Sequence, residues 1–362
     1  MANITITNKY DDGYTTLYGT PGDRLTYNYT IPGSAVWLTS VTPLVGGGYS
    51  GTFDGFLSNN VYFSGFTHFT FTTSAIGNDD IHTGDGNDIL MSGAGDDTLF
   101  SGGGIDQVDG GAGNDLWGAN YGTATSTINV NLNGVSTLFG TGYVQNMEGM
   151  HITTGLGNDV LIGHQTSGRA DLINAGGGFD SMTLWLGGWD TVNGGLGTDR
   201  LTLTNNLGSS YGGVTLSNTT VDASGYSGMF DGYSTNNVTF TGIEHFTFVD
   251  LSSGTDNIRT GNGNDSLVGG GGNDRLNSAQ GFDTIDGGTG NDTWEGDTSF
   301  SNTGVTIDIN GFSSFLGGQS SVTNVEGIYL TTGGGNDNIT GHQTASLQDK
   351  VTTGAGHDQI KL

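Results

Sequence analysis

The sequence predicts an all-β protein, a parallel β-solenoid built from two tandem copies of a unit of about 177 residues. Three observations predict this fold class. Residues 74–118 repeat with a strict nine-residue period, long stretches recur about 177 residues further on, and no segment shows helical periodicity of useful length. Glycine supplies 69 of the 362 residues without the every-third-residue period of collagen.

The nine-residue period sets the local structure. From Ser74 the chain reads SAIGNDDIH, TGDGNDILM, SGAGDDTLF, SGGGIDQVD and GGAGNDLWG. Glycine gathers at positions two and four, so positions one to six are predicted to form a turn. Positions seven to nine are predicted to form a short strand, with the apolar residue of position eight pointing inward. Two repeats then make one coil of eighteen residues. Position six is always aspartate: Asp79, Asp88, Asp97, Asp106 and Asp115.

Charge makes such a stack unstable by itself. Stacked coils would place equivalent aspartates roughly 4.8 Å apart. Two carboxylates at that spacing repel by about 3 kcal/mol at an effective dielectric constant of 20. The chain has 36 acidic residues against eight Lys and Arg, for a formal net charge of −28, so it cannot neutralise the rows itself. A hard divalent cation held by aspartate carboxylates and glycine-turn carbonyls would do so, and calcium accepts this flexible geometry better than magnesium.

Two repeats match a known nonapeptide, G-G-x-G-x-D-x-U-x, in which U is apolar. They are GGAGNDLWG at 110–118 and GGLGTDRLT at 194–202. On these residues the chain resembles the RTX (repeats-in-toxin, haemolysin-type) family of calcium-binding repeats. The resemblance implies a parallel β-roll loaded with several calcium ions.

Duplication sets the predicted domain organisation. GYSGTFDGFLSNNVYFSGFTHFTF (48–71) recurs as GYSGMFDGYSTNNVTFTGIEHFTF (225–248), and NMEGMHITTGLGNDVLIGHQT (146–166) recurs as NVEGIYLTTGGGNDNITGHQT (324–344). Each copy begins with an aromatic, Thr-rich stretch, followed by the repeats, a strand pair and a looser acidic cluster. The predicted domains are an exposed N-terminal strand at 1–9, a first β-solenoid unit at 10–185 and a second at 186–362.

The candidate calcium ligands follow from the repeat register. In the second block, position six is occupied by Asp256, Asp265, Asp274, Asp283 and Asp292. The looser clusters add Asp159, Asp180, Asp190, Asp199, Asp337 and Asp358. The glycines of positions two and four are Gly84, Gly86, Gly93, Gly95, Gly102, Gly104, Gly111, Gly113, Gly195, Gly197, Gly261, Gly263, Gly270, Gly272, Gly288 and Gly290. For Asp171, Asp190 and Asp349, whose motifs are degraded, both calcium ligation and a plain solvated turn stay open.

Composition and sequence pattern indicate where the protein acts. The chain has no cysteine and therefore no disulfide framework. No run approaches eighteen consecutive apolar residues, and residues 1–20 lack the basic start and apolar core of a signal peptide. The acidity argues against nucleic acid and anionic membranes as partners. Because RTX-like proteins commonly leave the cell without a cleaved leader, we expect an extracellular or cell-surface protein exported by a type I-like route.

In larger RTX-like proteins the repeats accompany a catalytic or pore-forming domain. Here repeats and spacers fill the chain, so we expect no enzyme. The first hypothesis is an extracellular calcium-binding structural protein that folds on secretion and self-assembles head to tail into a surface layer, matrix or filament, with NITIT (3–7) pairing with a neighbouring copy. The alternatives are a calcium-rigidified adhesin or polysaccharide-binding module, with cell-surface polysaccharide as partner, and the secretion and folding domain of a larger secreted enzyme.

Overall fold

The computed structural model describes residues 2–7, 15–29, 35–38, 41–55, 61–73, 76–166, 169–206, 213–222, 225–232, 237–343 and 347–362. Within these ranges the chain is all β, with one 3₁₀ turn at Leu316–Gly318 and no α-helix. This confirms the predicted fold class. The chain divides into two compact units, Met1–Gly176 and Gly177–Leu362. The sequence duplication, with its predicted boundary after residue 185, stays a prediction.

The described residues of the first unit form nineteen strands. They are β1 Asn3–Thr7, β2 Thr15–Tyr18, β3 Arg24–Tyr29, β4 Val36–Leu38, β5 Val41–Pro43, β6 Tyr49–Gly55, β7 Val61–Phe66, β8 His68–Thr73, β9 Asp80–His82, β10 Ile89–Met91, β11 Thr98–Gly102, β12 Gln107–Asp109, β13 Leu116–Asn120, β14 Asn129–Asn131, β15 Ser136–Leu138, β16 Gly142–Gln145, β17 Gly149–Thr153, β18 Val160–Ile162 and β19 Leu172–Asn174.

In the first unit, successive strands from β8 to β13 alternate between two sheets. One sheet has the order β1-β3-β8-β10-β12-β16-β15, and the other contains β4-β9-β11-β13-β17-β19. Within the repeats the pairing is parallel and the partner lies eighteen residues away, as in Leu90 with Val108 and Leu99 with Trp117. The coil of two repeats is therefore the structural unit, as the nine-residue period predicts.

The second unit contains the remaining strands. They are β20 Gly177–Gly178, β21 Ser181–Trp185, β22 Trp189–Asn193, β23 Leu196–Gly197, β24 Arg200–Asn205, β25 Thr215–Asp222, β26 Gly225–Asp231, β27 Asn237–Ile243, β28 His245–Asp250, β29 Asn257–Arg259, β30 Ser266–Val268, β31 Gly271–Gly272, β32 Arg275–Gln280, β33 Thr284–Asp286, β34 Thr289–Gly290, β35 Thr293–Thr298, β36 Thr306–Asp308, β37 Ser313–Phe315, β38 Ser320–Thr323, β39 Gly327–Thr332, β40 Asn338–Thr340, β41 Lys350–Thr352 and β42 Gln359–Lys361.

The second unit repeats the same alternation. One sheet runs β21-β24-β28-β30-β33-β38-β37, and parallel pairing joins β29-β32-β35-β39-β41 in the other. The register is again eighteen residues, as in Leu267 with Ile285 and Leu276 with Trp294.

The residues at position eight form the core of the repeat blocks. In the first block each is fully buried, as the sequence predicts: Ile81, Leu90, Leu99, Val108 and Trp117. Trp117 donates its indole N–H to the Ser101 hydroxyl at 3.2 Å, and Trp294 donates to Ser278 at the same distance. One inward side chain per short strand accounts for the low hydrophobic content of 33%.

The aromatic stretches depart from a purely parallel solenoid. Strands β6 and β7 pair antiparallel across a connection of five residues, and β26 and β27 do the same. A connection this short cannot join two neighbouring parallel strands of one sheet, whereas it readily closes a hairpin. Aromatic side chains pack together in these segments. The Tyr27 and Phe53 rings are stacked with their centroids 4.8 Å apart, and the Phe230 and Phe240 centroids lie 5.6 Å apart.

Candidate calcium-binding turns

The repeat turns pack tightly against one another at their glycines. Gly113 has φ of 156°, and a Cβ added to it would lie 1.8 Å from the carbonyl oxygen of Gly95, one coil away. Gly290 stands in the same relation to the carbonyl of Gly272, at 1.4 Å. Consecutive turns therefore stack backbone on backbone. Of the glycines predicted at positions two and four, all adopt positive φ except Gly86, whose Cβ would still lie 2.0 Å from the Thr67 carbonyl.

The aspartates of position six join consecutive turns. The N–H of Asp79 donates to Oδ1 of Asp97, and the N–H of Asp97 donates to Oδ1 of Asp115, both at 2.7 Å. On the alternate row, Asp88 donates to Asp106 at 2.9 Å. In the second block the same bond joins these pairs: Asp256 to Asp274 (2.8 Å), Asp265 to Asp283 (3.0 Å) and Asp274 to Asp292 (2.7 Å). The carboxylates thus form continuous rows.

The second carboxylate oxygen, Oδ2, is buried in these rows. In nine aspartates it has no hydrogen-bond partner among the described residues: Asp79, Asp88, Asp97, Asp106, Asp115, Asp199, Asp256, Asp274 and Asp292. A buried acceptor left without a donor destabilises a fold, more so when it is charged. The rows therefore require a partner that the described protein atoms do not provide. At Asp265 the Thr260 hydroxyl donates to Oδ2 instead.

Burial also raises the pKa values of aspartates in these rows. It raises the pKa of Asp79 to about 8 and that of Asp115 to about 7, the Asp97 and Glu148 charges adding to the latter shift. The pKa of Asp256 rises to about 9, through burial and the neighbouring Asp250 carboxyl. Burial raises the pKa of Asp88 well above its ordinary value. The nearby Thr83 hydroxyl partly offsets this rise without making a hydrogen bond of good geometry to Oδ2.

These donor groups fit calcium. No three His, Cys, Asp or Glu side chains in the described ranges group closely enough to hold a metal ion by themselves, so backbone oxygens must complete any site. The stacked turns supply such oxygens, the Gly95 carbonyl beside Gly113 among them. Calcium prefers carboxylate and carbonyl oxygens in flexible geometry. When bound, it would neutralise the rows and join one turn to the next through the position-six aspartates.

The looser clusters contain several kinds of aspartate. Asp159 is buried and accepts the N–H of Ile128 at 2.7 Å, and the N–H of Asp180 donates to Oδ1 of Asp199 at 2.8 Å. These aspartates keep the row pattern. Asp190 is buried but lies inside β22 rather than before a strand.

Near the end of the second unit the row pattern weakens. Asp337 is buried and accepts the N–H of Val305 at 2.9 Å, while Thr332 donates its hydroxyl to the other carboxylate oxygen. Asp358 is only partly buried and accepts the N–H of Asp337 at 3.0 Å. Asp171 and Asp349 accept the backbone N–H groups of Met150 and Ile328, at 2.8 and 3.0 Å.

Three glutamates belong to the site although the sequence pattern did not point to them. Glu148, Glu244 and Glu326 accept the N–H of the last aspartate in a row. They lie outside the nine-residue repeats, in NMEGM, GIEHF and NVEGI. The recurrence of NMEGM as NVEGI was a sequence signal that could have indicated Glu148 and Glu326, but not Glu244.

No helix among the described residues combines the length and the apolar character that crossing a bilayer requires.

Comparison with known families agrees with this geometry. A family model described as the RTX calcium-binding nonapeptide repeat matches four times, at residues 75–108, 82–116, 251–285 and 273–297. A search of curated proteins found no match. The matched segments coincide with the two stacks of aspartate rows described above. The chain therefore carries two blocks of RTX calcium-binding nonapeptide repeats, one in each compact unit.

Proposed function

We propose that this chain is an extracellular, calcium-binding structural protein that folds on export and assembles with further copies of itself into a surface layer, matrix or filament. The observation that carries the proposal is the rows of buried carboxylates whose second oxygens have no partner among the described residues. In this proposal the chain has no catalytic role, because repeats and their spacers make up the sequence.

Folding on export follows from calcium concentration. RTX repeats are typical of secreted proteins. Calcium sites of extracellular modules have dissociation constants of roughly 10⁻⁴–10⁻³ M, so cytosolic calcium would leave them empty. Each ion that binds the folded chain and not the unfolded chain stabilises the fold by mass action. The chain would therefore stay unfolded during export and fold in millimolar calcium.

Assembly is supported by an open sheet edge. β1 pairs with β3 in parallel and has no other strand partner in the described part of the chain. The Ala2 carbonyl accepts the N–H of Arg24 at 3.0 Å. In a regular parallel ladder the N–H groups of residues 3, 5 and 7 then face away from β3. Such an edge is a template for a strand from another molecule. β42, which pairs only with β40 among the described strands, is exposed in the same way.

Sedimentation of the purified full chain at micromolar concentration tests assembly. We expect large calcium-dependent species that dissociate in EDTA. Thr5→Pro removes one outward N–H of β1, so it should reduce assembly, whereas Thr5→Val keeps that N–H and should assemble like the wild type. A chain that folds in calcium and remains monomeric at all concentrations would refute assembly.

A second candidate function, polysaccharide binding, is favoured by a groove of about 930 Å³ in the second unit. Three of the eight basic residues of this acidic chain line it beside three acidic ones: Arg259, Arg275 and Lys350, with Glu295, Asp297 and Asp349. Arg275 lies over the Tyr329 ring, 6.0 Å from its centroid. Arg259 and Lys350 lie at the two ends of one register line across five strands, about 19 Å apart at ordinary strand spacing. This function would be favoured if the wild-type chain is monomeric and binds an acidic polysaccharide in calcium, and if Arg259→Ala abolishes that binding.

A further inference from the structure

Three aspartate rows end on a glutamate. Glutamate is rare in this chain, with four residues in all, and three of them occupy this one position. In each case Oε2 accepts the N–H of the final aspartate: Asp115 to Glu148 (2.7 Å), Asp199 to Glu244 (2.7 Å) and Asp292 to Glu326 (2.8 Å). The glutamate thus takes the place that the next aspartate occupies inside a row.

The backbone at these three places is the same. The carbonyl oxygen of the final aspartate accepts two consecutive N–H groups, that of the glutamate and that of the following residue. At Asp115 the donors are Glu148 (2.9 Å) and Gly149 (3.0 Å). The two other sets are Asp199 with Glu244 (3.2 Å) and His245 (3.0 Å), and Asp292 with Glu326 (2.8 Å) and Gly327 (3.0 Å). This backbone clamp fixes the glutamate beside the last turn.

Oxygen atoms converge at each clamp. A Cβ added to Gly110 would lie 2.7 Å from Oδ2 of Asp115 and 2.3 Å from the carbonyl oxygen of Asn146. Asp115 is fully buried, and this oxygen has no hydrogen-bond partner among the described residues. The other clamps match: Gly194 with Asp199 Oδ2 (2.8 Å) and the Gly242 carbonyl (2.1 Å), and Gly287 with Asp292 Oδ2 (2.9 Å) and the Asn324 carbonyl (2.0 Å). A carboxylate oxygen and a carbonyl oxygen therefore border one small space, next to a second carboxylate.

A fourth backbone clamp in the chain has no glutamate. There the carbonyl of Asp23 accepts the N–H groups of Thr67 and His68, both at 3.3 Å, and threonine stands where the others have glutamate. Asp23 has its second oxygen satisfied by Thr20, through the backbone N–H (2.9 Å) and the hydroxyl (2.8 Å). Where the glutamate is absent, the aspartate is thus satisfied by protein donors. Where it is present, the buried oxygen has none among the described residues.

Hydrogen bonding alone does not explain the choice of glutamate. At the end of another row the N–H of Asp283 is accepted by the Ser320 hydroxyl at 3.2 Å. A neutral acceptor therefore suffices for the backbone. Placing a second negative charge beside a buried carboxylate destabilises the pair unless a cation lies with them.

We propose that Glu148, Glu244 and Glu326 are calcium ligands that close the ends of three aspartate rows. At each end an ion is held by the glutamate carboxylate, Oδ2 of the final aspartate and the carbonyl two residues before the glutamate. The Asp23 clamp holds no ion. The inference rests on the proposed calcium-binding function and adds to it three sites whose glutamate lies outside the nonapeptide repeat.

Counting bound ions tests the proposal. The full chain is equilibrated at the lowest calcium concentration that saturates the wild type, and calcium per chain is measured by equilibrium dialysis and mass spectrometry. Glu148→Gln, Glu244→Gln and Glu326→Gln each keep an oxygen that can accept the aspartate N–H while losing the charge. Glu295→Gln is the control, because Glu295 lies in β35 and contacts Arg275 and Asn277 instead.

We expect each of the three variants to bind one ion fewer than the wild type, the triple variant three fewer, and the control the same number. Circular dichroism in excess calcium should retain the wild-type β signal, because the remaining sites still stabilise the fold. If the wild type binds calcium and the three variants bind as many ions as Glu295→Gln, the glutamates are not ligands. If the wild type binds no calcium, the proposed function itself fails.

The glutamine variants could fail to fold, which would show as a loss of the circular dichroism β signal in excess calcium. In that case a variant that gains a calcium site tests whether the glutamates are ligands. Thr67→Glu with Thr20→Pro gives the fourth clamp a glutamate and removes both Thr20 donors, the hydroxyl and the backbone N–H, from Oδ2 of Asp23. The proposal expects one additional ion per chain. An unchanged count would overturn it.

Discussion

At the residue scale, the two oxygens of each position-six aspartate have different roles. In Asp97, Oδ1 accepts the N–H of Asp79 at 2.7 Å, so it fixes the stacking of one turn on the next. Oδ2 is buried without a partner among the described residues. A neutral hydrogen bond would satisfy the first oxygen equally well. The second oxygen gives the site its preference for a cation.

A pH dependence of the calcium-free chain follows from the raised pKa values. Burial raises the pKa of Asp79 to about 8, of Asp265 to about 7 and of Asp106 to about 6. Because these exceed the unfolded value near 3.9, the folded state binds more protons between about pH 4 and 8. Stability without calcium therefore falls as pH rises through that window. Burial lowers the pKa of three histidines, which act in the opposite direction within this window but are fewer: His68, His151 and His245.

We expect circular dichroism in EDTA to show more β-structure at pH 5 than at pH 8. With calcium the direction should reverse, because the ligands must be deprotonated to bind it. A calcium-free chain that is less structured at pH 5 than at pH 8 would show that the carboxyls are not buried as described.

The position-six aspartates could be predicted because their spacing is periodic. Glu148 could not, because it lies 33 residues beyond Asp115 in an aperiodic segment, and only the pairing of β13 with β17 brings the two together. Its role depends on a backbone clamp and an unpartnered oxygen, and the recurrence of NMEGM as NVEGI reveals neither of them.

At the element scale, the coil of eighteen residues depends on glycine at position four. Gly113 lies at φ of 156° with the Gly95 carbonyl directly beside the site of its absent Cβ. Gly134 provides a matched control, since a Cβ there would meet nothing within 4 Å and its φ is not positive. The two positions differ in packing while both lie in the first unit.

Gly113→Ala should lower the free energy of unfolding in saturating calcium by roughly 1–3 kcal/mol, because a methyl group is forced into a filled space. Gly134→Ala should leave it nearly unchanged. Urea denaturation of both variants measures the difference. Equal stability of the two would mean that the turns do not stack as closely as the structure has them.

The repeats were predictable element by element, but the aromatic stretches were not. The nine-residue period and the inward-pointing residue of position eight predict strands β10 to β13, because each glycine turn determines where the next strand begins. Residues 48–71 have no such period. Their hairpin pairing is set by the short connection between β6 and β7 and by the stacking of Tyr27 on Phe53, a contact between residues distant in sequence.

At the scale of the whole molecule, charge decides stability. A formal net charge of −28 with 33% hydrophobic residues would ordinarily leave a chain unfolded. Each unit nevertheless forms a core in which most strands of the repeats contribute one buried apolar side chain. Calcium between the turns would supply both the missing charge and the missing donors, so folding and calcium loading should be one event.

Circular dichroism together with size-exclusion chromatography of the purified chain at pH 8, in millimolar calcium and then in excess EDTA, tests this claim most directly. We expect a compact β-structured protein in calcium, an expanded chain without that signal in EDTA, and recovery when calcium is restored. A chain that stays compact and β-structured in EDTA would contradict the account, because its carboxylate rows would then be stable without a cation.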